Sequence, residues 1–122
     1  MLANWINDEI IGSYKPIVAI EHENLVPGSG KHLKNVIGSF WKVMAVRSDL
    51  HVIITYYRDK QEQEHIIQCL RQMLENTTLG KESGEVLILL GNCGNIGKNG
   101  RWAICKWGER VFQGPIRSSV ST

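Results

Sequence analysis

An α/β fold with a mixed central sheet and flanking helices is what the chain predicts, on three observations. Three short apolar runs rich in β-branched residues, KPIVAIEH at 15–22, HVIITYY at 51–57 and EVLILL at 85–90, have the length and composition of buried strands. The segments between them, 33–46 and 60–76, instead repeat apolar residues every three and four positions, as a helix packed on one side does. A length of 122 residues with 43% hydrophobic and 21% charged content suits one globular domain around one core.

Taken in order, LANWIN at 2–7 and KPIVAIEH at 15–22 are strands around a turn near Gly12 and Ser13. The second is apolar on both faces, as a central strand is. NLVPGSGK holds one proline and two glycines and is a loop. The helix at 33–46 turns Val36, Ile37, Phe40, Trp41 and Met44 inward, with Leu33 beside them. HVIITYY follows as a buried strand. Asp59 is placed to cap the second helix, 60–76, whose Ile66, Ile67, Leu70, Met73 and Leu74 face the core. Residues 79–85 form a loop before EVLILL. A glycine-rich loop then leads to a last strand, RWAICKW at 101–107. The order is β-β-α-β-α-β-β, with residues 1–117 as a single domain and 118–122 as a frayed tail.

Several function classes are set aside by composition. The formal net charge of +2 does not by itself indicate nucleic acid, and the local clusters Lys31, His32, Lys34 and Lys98, Arg101, Lys106, Arg110 read as solvated faces. Cys69, Cys93 and Cys105 lack any zinc-ligand spacing; Cys69 in a helical pattern and Cys105 in a strand-like one read as reduced, packed thiols. With no signal peptide and no long apolar run, the expected location is cytoplasmic, away from membranes. GNCGNIGKNG at 91–100 invites a phosphate-loop reading, which fails on three points. Asn92 stands where the loop needs glycine, Asn99 where it needs Ser or Thr, and a strand follows where a helix must open. It reads as a hairpin connection.

The chemistry lies in PIVAIEHEN, residues 16–24, where an apolar strand runs straight into Glu21, His22 and Glu23. Alternation puts Ile17, Ala19, Glu21 and Glu23 on one face, with Val18, Ile20 and His22 on the other. The two carboxylates then stand about 7 Å apart at the mouth of the sheet. Carboxylates that close call for a compensating cation or proton. Magnesium fits, since it takes one or two carboxylates with water and phosphate oxygens. Equally open is a strand that simply ends in solvent, with Glu23 paired to Lys31 or Lys34.

An E-x-E closing a core strand, followed by the amphipathic VIGSFWKVMAV and then by HVIITYY, resembles the PD-(D/E)XK nuclease superfamily, the restriction-endonuclease-like fold. The match covers about residues 2–57. What the resemblance implies is a metal-dependent phosphodiesterase acting on nucleic acid. Glu21 would be the metal-binding acid, and Glu23 would take the position usually held by lysine. Lys42, in SFWKVM, would be a lysine displaced to the next helix. The implied cofactor is Mg²⁺ or Mn²⁺, bound by Glu21 and Glu23, and the implied catalytic set is Glu21, Glu23 and Lys42. In that frame Leu2 to Asn4 would face Glu21 where the family places its first acid, and none of them is acidic. The alternative is therefore a catalytically silent nuclease-fold module that binds nucleic acid or a protein. The family's first helix has no counterpart in this reading, so a homodimer or a partner chain is expected to cover one side of the sheet, with Trp5 as a contact.

Overall fold

The computed structural model describes residues 17–23, 32–78, 84–93 and 102–118. The strand expected at 2–7, its turn near Gly12, and Trp5 lie outside the described residues. The elements are β1 (Val18–His22), α1 (His32–Met44), β2 (Leu50–Tyr57), α2 (Lys60–Asn76), β3 (Glu85–Asn92), β4 (Trp102–Gly108) and β5 (Val111–Ser118). The five strands form one sheet in the order β1-β2-β3-β4-β5. β1, β2 and β3 run parallel, and β4 and β5 add antiparallel. The sheet is therefore mixed, as expected. The glycine-rich stretch joins β3 to an antiparallel strand, which agrees with a hairpin connection and not with a loop opening a helix.

Two helical crossovers that step the same way across parallel strands place both helices on one face. Burial agrees. Ile53, Tyr57, Val86, Ile88, Leu90, Ala103, Cys105 and Trp107 share one parity across the register and form a single core with Val36, Phe40, Val43, Ile66, Leu70 and Leu74 of the helices. α2 starts where the sequence placed it. Asp59 is its N-cap, accepting from the Glu62 amide at 2.9 Å, while Glu62 accepts from the Arg58 amide at 2.8 Å.

α1 departs from expectation in its inward face. Trp41 is 49% exposed and Ile37 is only half-buried, whereas Val43 is fully buried beside Val36 and Phe40. The helix is rotated because its neighbouring edge, carrying Ser39 and Lys42, is turned toward the acidic end of β1. It also stops at Met44, not Val46, closing with an Ala45 amide bond to Trp41 and a tighter Val46 amide bond to Val43. Buried His51, at the start of β2, donates from Nε2 to the Val46 carbonyl at 2.6 Å and so pins this turn to the sheet.

β5 was not anticipated. Strands seldom hold a Gly-Pro pair such as Gly114 and Pro115, yet β5 is the outer strand next to β4, where a residue without an N–H is tolerated. Ser118, assigned to the tail, pairs with Trp102. Glu109 and Arg110, at φ 52° and 64°, make the two-residue turn between β4 and β5. At the same end of the sheet, a Cβ on Gly84 would lie 2.4 Å from the Asp49 carbonyl oxygen, so only glycine lets these two loop backbones touch.

Candidate functional site

Parallel strands gather their carboxyl ends on one rim, and crossover helices start just above it. β1 brings Glu21 and Glu23 to that rim. The Glu23 amide donates to the Ile54 carbonyl at 2.8 Å, which extends the β1–β2 ladder one residue past His22. Glu21 thus stands beside Ile53, Glu23 comes level with Thr55, and both carboxylates face the helices.

α1 runs back over β1 and presents a polar edge to them. Lys42 Nζ is 3.7 Å from Glu21 Oε1, and one turn earlier Ser39 Oγ donates to Glu23 Oε2 at 3.0 Å. Glu21 is mostly enclosed, its side chain 15% exposed, while that of Lys42 is 71% exposed. An ion pair with so exposed a partner contributes little to stability, about 0–1 kcal/mol. Its interest is geometric. The structure brings all three sequence-predicted site residues, Glu21, Glu23 and Lys42, to one place.

His32 opens α1 at the same rim. It is buried, and its Nε2 donates to the Tyr56 carbonyl at 2.7 Å, which leaves Nδ1 as a bare acceptor. That Nδ1 and the hydroxyl of fully buried Thr55 have no hydrogen-bond partner among the described residues. Buried polar atoms left open beside carboxylates mark a place suited to water or an ion. Among the described residues no group of three His, Cys, Asp or Glu side chains converges as a metal cage. Of the groups gathered here only the two carboxylates could hold a hard cation, which would keep most of its water, and the Lys42 ammonium already offsets the charge of Glu21.

Ser39 escaped the sequence reading. The signal was present: His32, Asn35, Ser39 and Lys42 recur at intervals of three, four and three, a polar edge beside the apolar stripe. His22 faces away from the acids, as alternation required. It meets Tyr56 instead, with Nε2 and the phenol oxygen 2.8 Å apart. A cleft of about 440 Å³ lined by Leu50, Glu85, Lys106 and Trp107 lies at the opposite end of the sheet and takes no part in this site.

No helix among the described residues is long and apolar enough to cross a membrane. Comparison with known proteins found no matching family model, no curated relative and no similar solved structure. The functional reading therefore stands on the site itself.

Proposed function

We propose that the protein is a metal-dependent phosphodiesterase acting on nucleic acid, with its site at the carboxyl end of β1. The observation that carries this reading is the approach of Lys42 to Glu21 at 3.7 Å, with Glu23 held alongside by Ser39. Two carboxylates and one lysine drawn from successive elements are the set that the E-x-E resemblance calls for. Glu21 and Glu23 would hold Mg²⁺ or Mn²⁺, which when bound supplies Lewis acidity toward a phosphate oxygen. Ser39 fixes the orientation of the Glu23 carboxylate. Lys42 places an ammonium where it can orient a water and offset charge on a phosphate.

A second reading is a silent module of the same fold that binds nucleic acid or a protein without cutting. The observation favouring it is the same ion pair, because Lys42 offsets the Glu21 charge without a cation. Titration calorimetry with Mn²⁺, paired with a plasmid and RNA hydrolysis assay, separates the two. The enzyme reading expects one Mn²⁺ site that Glu21→Gln abolishes. It also expects hydrolysis that Lys42→Ala reduces at least tenfold while Mn²⁺ binding persists. Absence of both metal binding and hydrolysis in the unaltered protein leaves the silent module.

A further inference from the structure

Across the sheet from the acids, at the same rim, three aromatic side chains form a row. Tyr56 and Trp102 flank Gly91 in the register, and His22 lies on the far side of Tyr56. The Tyr56 and Trp102 ring centroids are 6.0 Å apart, and those of His22 and Tyr56 are 5.5 Å apart. The first two rings close over the strand between them. A Cβ on Gly91 would lie 2.9 Å from Tyr56 Cδ1 and 3.1 Å from two carbons of the Trp102 indole. β3 is apolar from Val86 to Leu90, and glycine enters it at the one level where the rings need the space.

This row is not core. It lies on the face turned away from the helices, with His22 exposed and Tyr56 and Trp102 half-buried. The hydrogen bond between His22 and Tyr56 fixes both rings, so their accessible faces are oriented in advance. That bond already pairs the imidazole Nε2 with the phenol oxygen, and the rings are tilted at 60° and 51° to their neighbours, so the row offers a partner ring faces. A flat heteroaromatic ring can lie against such a face.

We infer that His22, Tyr56 and Trp102 form a stacking surface for an unpaired nucleobase, so that the nucleic acid engaged at this rim is single-stranded there. The inference rests on the nucleic-acid reading above and adds the state of the substrate. His22 sits in the chain between Glu21 and Glu23, so a strand crossing this rim meets aromatic faces on one side of the sheet and carboxylates on the other. Stacking is tolerant of base identity, because every base has a π-face. In a duplex those faces are covered by neighbouring bases, and the surface has nothing to grip.

The test is fluorescence anisotropy of a labelled oligothymidylate in EDTA, so that neither metal nor cleavage contributes. An abasic oligomer of equal length and a duplex serve as comparisons. Oligothymidylate is expected to bind about tenfold or more tightly than the abasic strand. Trp102→Leu and, on the exposed edge, His22→Ala are expected to erase that preference while leaving abasic binding unchanged. Equal affinity for base-bearing and abasic strands, or preference for the duplex, overturns the inference. So does an unchanged preference in both aromatic variants, or no binding by the parent protein. A base preference without any Mn²⁺ site supports the stacking surface while the phosphodiesterase reading alone fails.

Discussion

Cys105 shows how one position on β4 sets a chemical property. It lies in the core with no exposure, and burial pushes its thiol up to about 11 from an ordinary 9.0. Since the raised value belongs to the folded state, its contribution to stability is fully present below pH 9 and is lost as the pH rises toward 11. In that window the unfolded chain releases the proton first. Unfolding free energy should therefore fall between pH 9 and 11 more steeply in the parent than in Cys105→Ala. The difference in slope reaches at most about 1.4 kcal/mol per pH unit. Denaturant melts at several pH values measure it, and identical slopes remove the assignment. Cys93, just after β3, is exposed.

At the scale of elements, each helix carries two different edges. α1 has an apolar stripe on the sheet and a polar edge over β1, and the second displaces Trp41 from the core. α2 is simpler: its buried Ile66, Ile67, Leu70 and Leu74 recur at helical spacing, and its first turn is fixed by Asp59. That cap satisfies an amide which otherwise has no partner inside the helix. Asp59→Ala should cost about 1 kcal/mol of folding stability without altering Mn²⁺ affinity, because the Asp59 side chain bonds the Glu62 amide of its own helix. Chemical denaturation with parallel calorimetry checks both halves. A loss of metal binding would show that α2 supports the rim.

For the whole molecule, the sheet divides its work. The parallel part, β1 to β3, brings acids, lysine and aromatic row to one rim, while β4 and β5 extend the sheet and contribute Trp102. The face away from the helices also carries Val18, Ile20, Ile54, Leu87, Leu89 and Ile104, all half-buried, and Val52, which is buried. The homodimer that the sequence reading expects, with a partner chain as its alternative, is tested by its mass. Light scattering should then give a mass of about 28 kDa, twice the 13.8 kDa chain. A mass that stays at the single-chain value over a wide concentration range removes the dimer.

Local pattern by itself determined the α/β class, the positions of β1 to β4 and both helices, the Asp59 cap, and the common face of Glu21 and Glu23. Each depends on period or on a residue's own backbone chemistry, which near neighbours suffice to express. Glu21 and Glu23 are two residues apart on a strand, and no partner is needed to align them. Only the tertiary structure decided that Ser39 and Lys42 reach those acids and that Trp41 does not join the core. A helix's rotation is settled by the surface it packs on, and a 3.6-residue period admits neighbouring stripes of similar hydrophobicity. Tertiary structure also made β5 a strand despite Gly114 and Pro115, since an outer position demands fewer backbone bonds. The row of His22, Tyr56 and Trp102 needs three strands in register with glycine between two of them. That relation spans 80 residues from His22 to Trp102 and has no local signature.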